Sequence, residues 1–257
     1  ALMGIRESLA RMNIHIDTYV RESQFVDDGS VDEVVARLQE TGHLFVQDGA
    51  LMVDLGAAGI EKPLVIRRAD GTSLYTTRDL AYHIWKGRQC DRMIDVLGAD
   101  HKLVSSQLVA VLDMLGEKKP DIVVFEFVSL PEGSMSTRTG KFISADELLD
   151  RVVEHAQREV DARRQDMDEE QRRTIAEAVG IGAVRYDVVK VSAEKDMVFD
   201  WRSALDLEKL GAPFIQYAHA RACSILKRAG ERVPDEGDLS LLVEHPEQEL
   251  IKRIGQF

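Results

Sequence analysis

Apolar and polar positions change period along the chain, and each change marks a predicted element. The opening ALMGIRESLARMN spaces its apolar residues as a helix does, and IHIDTYV then alternates as a strand does. DDGSVDEVVARLQETG reads as a turn and a short helix, with Ser30 as N-cap, Glu33 three residues on and Gly42 as the stop. HLFVQDGALMVDL is two β-prone runs about a QDG turn, the pattern of a hairpin. PLVIRRADGTSLY repeats it around ADG, which places Tyr75 at the end of a strand and makes residues 43–75 a small β-rich piece.

The rhythm then alternates between helix and strand. TTRDLAYHIWKGRQ is helical, RMIDVLG is a short buried strand, ADHKLVSSQLVAVLDMLG is a helix closed by Gly116, and DIVVFEFVSL is a second buried strand. Strands that are apolar almost throughout, joined through a helix, predict parallel pairing in an open α/β sheet. From Ser144 onward the pattern is helical, starting with the capping sequence SADE. A break near Gly211 and Pro213 interrupts the third helical segment, and a last helix runs into the chain end. No repeat or low-complexity segment is present.

With 257 residues, the chain has room for one large domain or two ordinary ones. Its 44% hydrophobic and 30% charged residues are those of a globular protein. No apolar run is long enough to span a bilayer and no signal-peptide pattern opens the sequence, so a cytoplasmic location without membrane contact is expected. Cys90 and Cys223 stand alone, which argues against a disulfide framework or a structural zinc site, and no metal-ligand set is read. A net charge of −12 disfavours indiscriminate binding to polyanions, but a local basic strip suffices for nucleic acid. The stretch from His219 to Val233 is such a strip, with Arg221, Lys227, Arg228 and Arg232 against Glu231.

Four stretches carry possible chemistry, each with a plain alternative. In LGADHKL, Gly98 permits close backbone approach at the carboxyl end of a parallel strand, Asp100 suits ribose hydroxyls and His101 suits a ligand acceptor. Otherwise Asp100 caps the helix and His101 is a surface residue. In LYTTRDLAY, Tyr75 and Asp79 together suit a cationic, amine-bearing ligand. Otherwise Thr76 and Asp79 form a capping box. In SMSTRTGK, Arg138 and Lys141 are placed to meet a polyphosphate, with hydroxyls and amides to line it. Otherwise it is a solvated loop leading to the Ser144 cap. In FIQYAHARACSILKR the apolar positions follow helical spacing and read as core, while Arg221, Lys227 and Arg228 face either a phosphate backbone or solvent.

In this order and at these spacings the stretches resemble the arginyl-tRNA synthetases, a class I aminoacyl-tRNA synthetase family. The matching phrases are DGTSLYTTRDLAYH, VLGADHKL, EFVSLPEGSMSTRTGKFISADELLD, VGIGAVRYD and GAPFIQYAHARACSIL, and they cover essentially the whole chain. The resemblance implies ATP-dependent attachment of L-arginine to its tRNA through an arginyl-adenylate, with Mg²⁺ accompanying ATP. It implies the second half of a class I Rossmann-like fold over 1–143, a helical connecting region over 144–205, and the start of a helical anticodon-binding domain over 206–257. By resemblance, Tyr75 and Asp79 recognise the arginine, with Asp79 on its guanidinium. Gly98, Asp100 and His101 hold adenosine, and Val128 offers backbone bonds to adenine. Met135 and Ser136 lie in the loop that steadies the ATP phosphates. Gln216, Tyr217, His219 and Arg221 open the tRNA-binding domain.

Two features depart from the family pattern. The phosphate loop reads Ser-Met-Ser-Thr-Arg, without the lysines of the class I loop, so Arg138 and Lys141 are expected to supply the charge from shifted positions. No His-x-Gly-His element occurs, so the first half of the nucleotide fold is expected in the parent chain, and these 257 residues alone are expected to have little aminoacylation activity. The alternative is a catalytically dead relative or truncation that binds tRNA or a protein. A cysteinyl-type enzyme is disfavoured by the isolated cysteines and by Asp79, which suits a cation better than a thiol.

Overall fold

A computed structural model describes residues 2–129, 143–200, 211–230 and 237–257. Helices α1 (Leu2–Arg11), α2 (Ser23–Asp27) and α3 (Ser30–Glu40) come first. A three-stranded antiparallel sheet follows, β1 (Leu44–Gln47), β2 (Ala50–Val53) and β3 (Leu64–Arg67), in that order. The hairpin between β1 and β2 turns at Asp48 and Gly49, whose φ values of 51° and 79° are both left-handed. Two consecutive positive φ angles match the strand twist, which is why an Asp-Gly pair serves there.

Helix α4 (Tyr75–Gly87), β4 (Ile94–Gly98), α5 (Lys102–Met114) and β5 (Asp121–Phe125) form the α/β part. β4 and β5 pair in parallel, Ile94 opposite Asp121 through Gly98 opposite Phe125. A second parallel pair joins β6 (Val128–Ser129) to β7 (Met197–Val198). Between them lie α6 (Ala145–Arg163) and α7 (Glu169–Val189); α8 (Ala212–Ala229) and α9 (His245–Gln256) follow. No helix among the described residues is long and apolar enough to cross a membrane.

The main core packs α2, α3, α4 and α5 against the antiparallel sheet through Phe25, Leu38, Ile66, Leu80 and Leu112. A second core joins α6 and α7 to β7 and the start of α8 through Leu149, Val152, Val184, Met197 and Phe199. Helices α6 and α7 approach closely at Gly180, where a Cβ would lie 3.0 Å from the Val153 Cα. The Ser144 cap forms, its hydroxyl accepting from the Glu147 N–H at 3.1 Å.

Several local expectations are corrected. IHIDTYV forms no strand, because no neighbour pairs with it and Ile14 and Ile16 remain exposed. Ser30 does not cap α3; it is the first helical residue, and the Asp28 carboxylate accepts its N–H at 2.9 Å. After ADG the chain makes a bridge between Arg67 and Ser73 and then turns into α4, so Tyr75 opens a helix instead of ending a strand. The two strands RMIDVLG and DIVVFEF are not buried on both faces. Ile94 and Val96 are 54% and 63% exposed, whereas Asp95 between them is buried.

Candidate functional site

The amino end of α4 is fixed by backbone acceptors on β3. No side chain caps the helix at Leu74. Instead the Thr76 hydroxyl donates to the Val65 carbonyl at 2.9 Å and the Thr77 hydroxyl to the Ile66 carbonyl at 2.6 Å. The capping-box alternative for Thr76 and Asp79 is therefore not what the structure forms, and the Asp79 carboxylate is left for other partners. Tyr75 and Asp79, four residues apart, stand on one face of the helix. Thr77 is fully buried. Thr77→Val, which keeps the shape and leaves the Ile66 carbonyl with only its longer bond from the Leu74 N–H, is expected to cost about 1 kcal/mol, a fall of a few degrees in Tm measured by thermal denaturation.

Tyr75, Asp79 and His101 line one cleft of roughly 670 Å³ over the open face of β4. Phe25, Tyr82 and Leu108 form an apolar wall, and Thr18, Val20 and Glu22 line one side. Arg78 is occupied at the rim, 3.3 Å from Glu22 and donating to the Ser73 carbonyl at 3.0 Å. The interior charge is arranged around His83. Its Nε2 lies 2.6 Å from Asp95 Oδ2, and its Nδ1 lies 2.7 Å from the Asp79 carbonyl and 3.2 Å from Asp79 Oδ1. Lys86 pairs with the other oxygen of Asp95. Burial pulls the His83 pKa down, but the bonds to Asp79 and Asp95 outweigh it and lift the value to about 9. Burial likewise raises the Asp95 carboxyl, and His83 and Lys86 more than reverse this, holding it below the ordinary aspartate range.

The sequence reading did not single out His83, Lys86 or Asp95. Two signals were there: the Asp79/His83 spacing of four on a helix, and a carboxylate set inside the apolar run of a strand.

The other sequence-predicted residues lie at several places. Gly98 ends β4, where a Cβ would come within 2.8 Å of Asp100 Oδ1. Asp100 and His101 follow in a short 3₁₀ turn, 3.9 Å apart and both exposed, and neither makes a side-chain cap. Val128 begins β6. The bonds to β7 use the Phe127 and Ser129 carbonyls, so the pleat directs the N–H and C=O of Val128 to the opposite side. Met135, Ser136, Arg138 and Lys141 lie outside the described residues.

Gln216, Tyr217, His219 and Arg221 all lie on α8, away from the cleft. The Gln216 amide donates to the Ala178 carbonyl at 2.9 Å and packs where Gly182 leaves room, docking α8 on α7. Tyr217, His219 and Arg221 are exposed, with Cys223 Sγ 3.6 Å from His219 Nε2. A cleft of roughly 910 Å³ between α1, α7 and α8 is lined by Arg11, Arg173, Arg185 and Gln216, and Arg11 there is paired with Glu177 and Asp150. It holds none of the predicted arginine or nucleotide residues.

Residues 3–201 match the catalytic domain of the class I tRNA synthetases (R), and residues 215–257 match the DALR anticodon binding domain. The chain belongs to the class I arginyl-tRNA synthetase family. It is 61% identical over all 257 residues to the arginine–tRNA ligase of Methanothrix thermoacetophila and 57% identical to that of Methanosarcina barkeri, covering 46% of each. The chain thus spans about half the length of the curated relatives it matches. Among solved structures, the arginyl-tRNA synthetase of Thermus thermophilus superposes with a TM-score of 0.81 at 25% identity, over 96% of this chain and 48% of that one. The fold is that of a class I synthetase, with mixed α/β content and a helical DALR region.

Proposed function

We propose that this chain carries the arginine pocket and part of the ATP site of an enzyme that attaches L-arginine to tRNA(Arg) through an arginyl-adenylate. The observation that carries this reading is the cleft at the start of α4. Tyr75 and Asp79 share it, and the second oxygen of the Asp79 carboxylate has no bond among the described residues. A planar guanidinium matches a carboxylate edge, and the half-exposed Tyr75 ring stands one turn away to flank it.

The nucleotide reading rests on placement. Gly98, Asp100 and His101 follow a parallel strand at its carboxyl end, where open α/β sheets bind ligands. Asp100 accepts from ribose hydroxyls there, His101 meets the ligand edge, and the outward N–H and C=O of Val128 face adenine. Met135 and Ser136 line the phosphates, and Arg138 and Lys141 neutralise the developing charge as pyrophosphate leaves. Magnesium arrives on the ATP phosphates; among the described residues no group of three or more His, Cys, Asp or Glu is placed to hold an ion. The exposed row Ile94, Val96, Val123 and Phe125 is the kind of sheet face that the other half of a Rossmann-like domain covers. On α8, Tyr217, His219 and Arg221 meet tRNA, while Gln216 holds the helix in place for them.

The test is a chimera in which this chain replaces the matching part of the Methanothrix thermoacetophila enzyme. Charging of tRNA(Arg) with arginine, and not with the uncharged analogue citrulline, is expected. Equal use of the two amino acids would remove the role of Asp79.

A further inference from the structure

Resting on the arginine reading of Tyr75 and Asp79, we propose that His83 is a positioning residue that fixes the Asp79 carboxylate for its ligand. Asp79 alone is poorly constrained. It stands on a helix face with its side chain 38% exposed, and nothing at the helix cap holds it. A carboxylate that must meet a guanidinium edge-on loses affinity if its plane rotates freely.

His83 supplies the constraint from beneath. Its ring is buried and both nitrogens face acceptors, so it cannot turn without breaking a bond at each end. Nε2 is held by Asp95 on β4, and Asp95 is held in turn by Lys86. Nδ1 then presents its hydrogen to Asp79 Oδ1 and to the Asp79 carbonyl. The result is a relay from strand to cleft, Lys86 to Asp95 to His83 to Asp79, in which three residues serve to orient the fourth. The raised His83 pKa agrees with a ring that donates on both sides at neutral pH. The remaining charged groups around the cleft, Arg78, Glu22 and His101, make no bond to the ring among the described residues. Outer groups of this kind, which hold the group that touches the ligand, commonly govern affinity.

The two isosteric exchanges separate the ends of the ring. H83N keeps an amide donor where Nδ1 stood, toward Asp79, and gives up the reach to Asp95. H83Q keeps a donor where Nε2 stood and gives up the bond to Asp79. L-arginine is titrated by calorimetry into the full-length chimera described above and into its H83N, H83Q and D79N variants, with thermal denaturation alongside. H83Q is expected to weaken arginine binding about tenfold, with H83N recovering most of that loss. Equal affinity in wild type and H83Q, or equal loss in H83N and H83Q, overturns the positioning role. Arginine binding that is absent in wild type or intact in D79N overturns the arginine reading itself. Should the variants fail to fold, the ¹⁵N imidazole spectrum of the wild type decides. A His83 ring protonated on both nitrogens at pH 7.5, and shifted by added arginine, supports the role. A neutral ring or an unmoved signal contradicts it.

Discussion

Asp79→Asn is expected to lower arginine affinity about a hundredfold, because it removes the charge pair proposed between the Asp79 carboxylate and the guanidinium. Truncating one partner of a desolvated, hydrogen-bonded ion pair typically costs several kcal/mol, and about 3 kcal/mol corresponds to that factor. Asparagine keeps the shape and one acceptor oxygen, so most of the loss reports charge rather than volume. The exchange also changes selectivity. Citrulline, which carries a neutral urea in place of the guanidinium, can donate N–H bonds to the carboxylate but has no charge to pair with it, so it loses less when the carboxylate becomes an amide. The ratio of arginine to citrulline affinity should therefore collapse toward unity, read by competitive titration. A mutant that weakens both ligands alike would show that Asp79 shapes the cleft without reading charge.

The second large effect is on stability against pH. His83 holds its proton to about pH 9 in the folded chain, against an ordinary value of 6.5. Between those values the folded state binds more protons than the unfolded one, so stability falls as pH rises. The contribution is complete below pH 6.5, is lost through pH 9, and amounts to about 3 kcal/mol for a shift of this size at a buried site. Asp95 acts at the other end. Its carboxyl is held low, so its contribution is present above the ordinary aspartate range and is lost only as pH falls below it. Urea midpoints at pH 6 and pH 9.5 measure the first effect, with H83Q as the control that removes it. A wild-type midpoint that does not fall between those two pH values more than it does in H83Q would show that the ring is not charged in the folded state.

What the sequence disclosed depended on whether the cause was local. The Asp48-Gly49 turn and the Ser144 cap are decided by a few neighbouring residues, and both could be read. The parallel pairing of β4 with β5 could also be read, since the apolar runs and the helix between them leave few alternatives. Tyr75 was misplaced at a strand end because the decision lies with Thr76 and Thr77 reaching back to β3. IHIDTYV failed as a strand because alternation creates no partner. In β4 the apolar pattern predicted burial, yet the chain buries Asp95 and exposes Ile94 and Val96, since the charged partners Lys86 and His83 come from the adjacent helix.

The same division holds at the site. Tyr75 and Asp79 were legible from their spacing and from the family phrase around them, and one cleft receives them with His101. His83 and Asp95 were not, because their importance appears only when a helix and a strand twelve residues apart in sequence are brought into contact. The stretch SMSTRTGK with Arg138 and Lys141, expected from the sequence to meet phosphates, is the most prominent one in the chain and lies outside the described residues.

The most direct test is a crystal structure of the protein with L-arginine bound. The expected result is the guanidinium within hydrogen-bonding distance of the Asp79 carboxylate, beside Tyr75, with His83 still bonded to both Asp79 and Asp95. Arginine bound elsewhere, with the Tyr75–Asp79 cleft empty, would contradict it.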